Sequence, residues 1–254
     1  MAMRIGGIID ISTKDIPNKS TMVIFTVGCN LSCGFCHNKY LLHEGVGRDI
    51  DVPELMEQIK SNMLVSSVSI SGGEPTLQKD LLELCKEIKN VGKYISIDTN
   101  GTSPKSITEL LPYINRVALD MKGPLNNKRL AKITGNQVNF NLIIETFKTV
   151  NNHEDTDFEI RTTYVENLMK PNDIDKIISF LRKNQFRGSF VLQQYQYSEG
   201  VGDEYKEKFQ KPEHIILLNI LKPYRNLDLP FQIYLRDDIV GYCIIDKLYE
   251  YLDE

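Results

Sequence analysis

The feature that most limits the folds open to this chain is a repeated change of hydrophobic period. Short β-branched runs alternate with longer segments whose apolar residues recur at helical spacing, as in an α/β fold with a parallel sheet. The strand-like runs are Thr21 to Val27, Ser66 to Ser71, Tyr94 to Asp98, Arg116 to Asp120, Asp157 to Tyr164 and Gly188 to Tyr195. Each precedes a segment that reads as helix. Asp51-Val52-Pro53-Glu54 opens the first, with Leu55, Ile59 and Met63 on one stripe, and Leu81, Leu84, Cys85 and Ile88 form the stripe of the second before Gly92 ends it. Pro104 to Leu111, Asn139 to Asn151, Asn172 to Asn184 and Pro212 to Leu221 complete the series. Six such units suit a partial (βα)6 barrel better than a closed eight-fold one, for which roughly 250 residues are typical. A doubly wound sheet is the alternative. In both, ligands sit at the C-terminal ends of the strands, so chemistry is sought just after each strand.

Composition narrows the function classes. The 254 residues carry 30 Lys plus Arg against 34 Asp plus Glu, a net charge of −4, which argues against a nucleic-acid surface. No apolar stretch approaches the roughly 20 residues that span a bilayer, and Met1 to Ile11 lacks the pattern of a signal peptide. A cytoplasmic protein without a membrane partner is expected. Of five cysteines, Cys29, Cys33 and Cys36 crowd together while Cys85 and Cys243 stand apart. That is the pattern of metal ligands or redox groups, not of a disulfide framework; Cys85 and Cys243 read as buried apolar residues.

The triplet follows the first strand with the spacing C-x3-C-x2-C. Short cysteine spacings of this kind hold iron–sulfur clusters, and three local thiolates leave one iron of a four-iron cluster open. A structural zinc site of the three cysteines plus His37 competes with that reading, although such sites favour two separated ligand pairs; His37 otherwise reads as an orienting hydrogen-bond group. The second strand ends in Ser71-Gly72-Gly73-Glu74-Pro75, where two glycines permit close backbone approach and Glu74 offers a carboxylate suited to an ammonium group. The third runs into Asp98-Thr99-Asn100-Gly101 and the fourth into Asp120-Met121-Lys122-Gly123-Pro124. Singly these are ordinary turns and caps. Their recurrence on four consecutive strands is what could hold a zwitterionic ligand.

The triplet with Phe35 before its last cysteine, together with Gly72-Gly73-Glu74-Pro75, resembles the signature of radical S-adenosylmethionine (SAM) enzymes. The resemblance covers roughly Met3 to Tyr195 and implies a partial (βα)6 barrel with a 4Fe-4S cluster in its mouth. It implies that residues 1–196 form this barrel with an N-terminal extension, while residues 197–254 pack on it or extend it in a role the resemblance does not give. Carried over residue by residue, Cys29, Cys33 and Cys36 would ligate the cluster, and SAM would bind the fourth iron. Phe35 would flank the adenine, and Gly72, Gly73 and Glu74 would hold the methionine amino group. Asp98, Asp120 and Lys122 would surround the carboxylate and ribose, some through a monovalent cation, and Thr99 and Arg161 join this set on the same likeness.

Within the superfamily the chain resembles the activating enzymes of glycyl radical enzymes, particularly those of anaerobic ribonucleoside-triphosphate reductases. Ile5-Gly6-Gly7-Ile8, Phe25 to Asn30, Cys36-His37-Asn38, Thr134-Gly135 and Arg161-Thr162-Thr163 all read like theirs. Asn18 stands where those activators usually have glycine after proline, and the chain after Tyr195 matches nothing in them. The implied partners are a glycyl radical enzyme as protein substrate and an external one-electron reductant such as flavodoxin or ferredoxin. The alternatives are a radical enzyme acting on a small molecule or RNA base, and a zinc module.

Overall fold

The computed structural model describes residues 2–43, 45–197 and 207–250. The first half of the chain gives β1 (Ala2–Ser12), β2 (Thr21–Thr26), β3 (Arg48–Asp51), α1 (Val52–Ser61), β4 (Ser67–Gly72), α2 (Leu81–Asn90), β5 (Tyr94–Thr99), α3 (Pro104–Leu110) and β6 (Arg116–Asp120). The remainder gives α4 (Asn127–Thr134), α5 (Phe140–Asn151), β7 (Asp157–Tyr164), α6 (Pro171–Lys183), β8 (Ser189–Gln194), α7 (His214–Leu221), β9 (Gln232–Asp237), β10 (Gly241–Ile244) and α8 (Ile245–Glu250). These make two compact units. One comprises Met1–Ser32, Asn38–Leu119 and Asn141–Asp157; the other comprises Cys33–His37, Asp120–Phe140 and Phe158–Glu254.

In the first unit β2, β4, β5 and β6 are parallel neighbours in that order, and β1 lies antiparallel between β2 and β3. The register separates two faces. Val68 and Ile70 stand beside Met22 and Ile24 of β2 and Ile95 and Ile97 of β5, forming an apolar row, all buried. The opposite face carries Thr21, Ser67, Ser69, Ser96, Asp98 and Arg116. Arg116 on that face donates to Ser96 Oγ at 2.7 Å and stands 3.9 Å from Asp98. Small and polar side chains thus line one side of the sheet, while branched apolar ones bury the other. Asp51 caps α1 by accepting Glu54 N–H at 2.9 Å, and Leu81, Leu84, Cys85 and Ile88 are all buried, but α1 ends at Ser61, so Met63, expected on its stripe with Leu55 and Ile59, lies beyond it and is 90% exposed.

The second unit pairs β7, β8 and β9 in parallel, with β10 antiparallel to β9. Phe158, Ile160, Phe190, Leu192, Ile233 and Leu235 form its apolar face, while Glu159, Arg161, Gln193, Tyr234 and Arg236 lie on the other. The buried Asp173 at the start of α6 receives Arg129 of α4, which also donates to Leu168 O.

All six strands read from the sequence are present. Four more, β1, β3, β9 and β10, were not foreseen, and β9 adds a further parallel strand within the second unit. Among the described residues no helix is long and apolar enough to cross a membrane.

Where β8 begins, the chain passes close against β7, and a Cβ on Gly188 would lie 1.9 Å from Phe158 O. A backbone atom cannot swing aside as a side chain can. Gly188→Ala should lower stability by about 1–3 kcal/mol, the usual cost of overpacking, whereas Gly7→Ala on β1, with nothing within 4 Å of the added carbon, should not. Urea unfolding of the two variants beside the parent checks this, and equal midpoints would contradict it.

Candidate active site

The site residues of the first unit are built around Glu74. Its carboxylate is 1% exposed. Oε1 accepts from Thr76 Oγ1 at 2.6 Å, Thr99 Oγ1 at 2.7 Å and Thr76 N–H at 3.3 Å, while Oε2 accepts from Asn100 N–H at 2.7 Å. Burial pushes its pKa up, and the hydrogen bonds from Asn100, Thr76 and Thr99 oppose that rise. Glu74 therefore joins the exit of β4 to the exit of β5.

Gly72 and Gly73 are required by the same junction. Gly72 has φ +109°, and a Cβ on it would fall 2.4 Å from Thr26 N; one on Gly73 would fall 2.0 Å from Gly28 O. Gly73 N–H donates to Thr26 O and Glu74 N–H to Gly28 O, each at 2.8 Å. The close backbone approach read from this pair is thus made first to the end of β2 and the start of the cysteine loop.

Cys29 opens that loop. Its sulfur accepts from Leu31 N–H at 3.4 Å and from Asn100 Nδ2 at 3.8 Å. Thr99 is buried against Glu74, and Asp98 faces Arg116. Sequence reasoning assigned no role to Asn100, Thr76 or Arg116. Asn100 lies inside a segment that was singled out, but there it reads only as turn chemistry.

The second unit holds the other candidates. Cys33 and Phe35 are buried, and Cys36 N–H donates to Cys33 O at 3.1 Å, closing a tight turn. Phe35 packs edge-to-face on Phe209 with centroids 6.4 Å apart. His37 lies 5.6 Å from the Tyr195 ring, and its pKa is lowered by burial and by Lys122 against a hydrogen bond involving the Gln196 backbone. Asp120 is flanked by two cations: Arg161 Nε reaches Oδ1 at 3.0 Å, and Lys122 Nζ reaches Oδ2 at 2.9 Å. Burial works to raise the Asp120 pKa, but Arg161 and Lys122 outweigh it and hold it at about 2. Burial works to lower the Lys122 pKa, yet Asp120, Cys33 and Cys36 together raise it, so Lys122 stays charged beside these two thiols.

Apart from the triplet, Cys85 is buried in α2 with its pKa pushed up to about 12, an inert thiol, whereas Cys243, expected to be buried as well, is only half-buried on the terminal strand β10. Among the described residues no three Cys, His, Asp or Glu side chains gather as a single metal ion would require.

Comparison with known proteins agrees with this chemistry. The model of the radical SAM superfamily matches residues 23–182, more than half of the chain. A Methanocaldococcus jannaschii protein named "Putative glycyl-radical enzyme activating enzyme" is 34% identical over 216 residues, covering 82% of this chain and 86% of that one. A Pyrococcus horikoshii protein named "Probable GTP 3',8-cyclase" is 30% identical over 171 residues, 65% of this chain and 52% of that one. Among solved structures, Streptococcus suis SuiB bound to S-adenosylmethionine superposes with a TM-score of 0.65 at 21% identity, over 85% of this chain and half the length of that chain. The chain belongs to the radical SAM superfamily, with the α/β fold of that type. It is a radical SAM enzyme resembling the activases, and membership implies a 4Fe-4S cluster and S-adenosylmethionine.

The Asp120 geometry predicts a pH signature of the apoprotein. A carboxylate whose folded pKa lies below its unfolded value stabilises the fold above the unfolded value, and the contribution is lost as pH falls through the folded one. Asp120→Asn should cost about 1–2 kcal/mol at pH 7, allowing for solvent screening of a partly exposed group. The difference from the parent should shrink between about pH 4 and pH 2. Urea titrations across that range test it; a difference independent of pH would contradict it.

Proposed function

We propose that this enzyme installs a glycyl radical on a partner protein, an anaerobic ribonucleotide reductase. The observation that carries the reading is the M. jannaschii relative, matched over most of both chains. With the cluster and SAM bound, one-electron reduction supplies a 5′-deoxyadenosyl radical that abstracts hydrogen from the glycine.

The chain's own residues bind, orient and shield. Cys29, Cys33 and Cys36 hold the cluster. Phe35 flanks the adenine. Gly72 and Gly73 present the β4 exit to the methionine amino group, and Glu74 is the carboxylate of that set, with Oε1 accepting three hydrogen bonds and Oε2 one. Asp120, Lys122 and Arg161 offer alternating charges to the carboxylate and ribose, and Asp98 and Thr99 complete the set, with a monovalent cation as a further ligand of this group. Flavodoxin or ferredoxin supplies the electron, in the cytoplasm.

The P. horikoshii relative favours a second reading, an enzyme acting on a small molecule. The two differ in the fate of the radical. In an activase it passes once to the partner, with about one 5′-deoxyadenosine formed per radical installed, because SAM is consumed as a reagent.

Cys29→Ala, Cys33→Ala and Cys36→Ala should each abolish the cluster after anaerobic reconstitution, while Cys85→Ala and Cys243→Ala keep it, as read by iron content and visible absorbance. Zinc without iron in the parent would reject the site. Incubation of the reduced enzyme with SAM and the candidate reductase should then give a glycyl doublet by electron paramagnetic resonance, lost when the partner's glycine becomes alanine. Turnover of a small metabolite with no partner, and no glycyl signal with one, would transfer the assignment to the second reading.

A further inference from the structure

Among the contacts that reach the sulfur of Cys29, those with Asn30 Oδ1 at 4.0 Å and Leu31 N–H are local and that with Asn100 is not. Leu31 N–H, two residues on, belongs to the loop itself. Asn100 comes from beyond β5, 71 positions away. Its side chain is held on every side: Oδ1 accepts from Thr102 N–H at 3.0 Å and Thr102 Oγ1 at 2.7 Å, Nδ2 donates to Asn30 Oδ1 at 2.8 Å, and Asn30 Nδ2 donates to Thr102 Oγ1 at 2.7 Å. The three side chains form a closed ring, and the Asn100 backbone N–H is anchored on Glu74.

The ring also fixes which way the amide points. Thr102 N–H can only donate, so the group facing it must be the carbonyl oxygen, and the NH2 must face Asn30 and Cys29. A flipped amide would set donor against donor. Asn100 is 6% exposed, so water does not readily replace a lost partner. A cysteine sulfur coordinated as thiolate has no proton to donate and only accepts.

We infer that Asn100 is a positioning residue that donates through Nδ2 to the Cys29 thiolate and raises the reduction potential of the cluster held there. Reduction adds one electron, and part of the added charge resides on the thiolate sulfurs. A hydrogen bond to sulfur stabilises that more negative state, which is how outer partners tune such clusters. The amide does this without adding a charge. The inference rests on the reading of Cys29 as a cluster ligand.

The test is a redox titration of the reconstituted enzyme without SAM, with dithionite as the one-electron donor and the reduced cluster followed by electron paramagnetic resonance. Asn100→Asp keeps the shape and turns the donor into a negatively charged acceptor; Asn100→Leu removes it. With iron and sulfide content equal to the parent, both should shift the midpoint negatively. In Asn100→Asp the ratio of reduced to oxidised cluster at a fixed potential should fall about tenfold, equivalent to 59 mV for one electron, and in Asn100→Leu by less. Thr102→Val, which loosens the ring but keeps the amide, should shift it least. A role limited to folding would lower stability and leave the potential of intact clusters in place, and an unmoved potential in both Asn100 variants overturns the inference.

If those variants do not assemble the cluster, enzyme labelled with 15N in its asparagine side chains decides. A hyperfine coupling from that nitrogen to the reduced cluster supports the bond, and its absence overturns it. A cluster retained in Cys29→Ala would instead sink the underlying reading of Cys29.

Discussion

The arrangement of the first unit's site depends on one buried carboxylate. Glu74 lies where water does not reach it, and an isolated charge there would be expensive. Four hydrogen bonds from Thr76, Thr99 and Asn100 make it tolerable. The same bonds fix the two strand exits on which other candidates sit: Thr99 Oγ1 accepts Gly101 N–H at 3.1 Å, Gly101 O accepts from Thr146 of α5 at 2.8 Å, and Asn100 leads to Asn30 and Cys29. Removing any member leaves another buried polar group without its partner, so the network is costlier to break than the net contribution of one hydrogen bond, about 1 kcal/mol, suggests.

The division of each sheet into two faces places such networks. In the first unit the apolar row of Ile24, Ile70 and Ile97 consumes the hydrophobic surface, which leaves the alternate positions to Ser69, Ser96, Asp98 and Arg116. The second unit repeats the device, with Ile160, Leu192 and Leu235 on one side and Arg161, Gln193 and Arg236 on the other. A period of two therefore supplies both the core and a surface that can bear charge.

This alternation made much of the fold legible in the sequence. Six parallel strands have β-branched runs bounded by turn residues, and helix stripes such as Leu81, Leu84, Cys85 and Ile88 are buried as their spacing requires. What escaped is equally instructive. β1 carries two glycines and leaves Ile9 and Ile11 exposed, so it lacks the profile of a half-buried strand. β9 does alternate, Ile233 and Leu235 inward against Gln232, Tyr234 and Arg236, but Leu227, Leu229 and Phe231 before it keep the same spacing, so the run has no clear start in the sequence. Among the candidate site residues, the cysteines stood out by their spacing, whereas Gly72-Gly73-Glu74 stood out only through the likeness to radical SAM enzymes. Asn100 did not, because its significance comes from a ring closed with Asn30, 70 positions away, and local sequence does not encode that adjacency. The glycine pair was read as room for a ligand, whereas its first constraint is the backbone of Thr26 and Gly28.

The two units also treat their cysteines by different physical means. Cys29 is met by neutral donors, an amide and a backbone N–H, which act only in contact and only in the right orientation. Cys33 and Cys36 share a unit with Lys122, a permanent cation whose field acts over a longer range and whose charge Asp120 helps to keep. Asp120 in turn is shared with Arg161, which also stands 3.9 Å from the Glu159 carboxylate, so that two cations and two carboxylates balance one another within the unit.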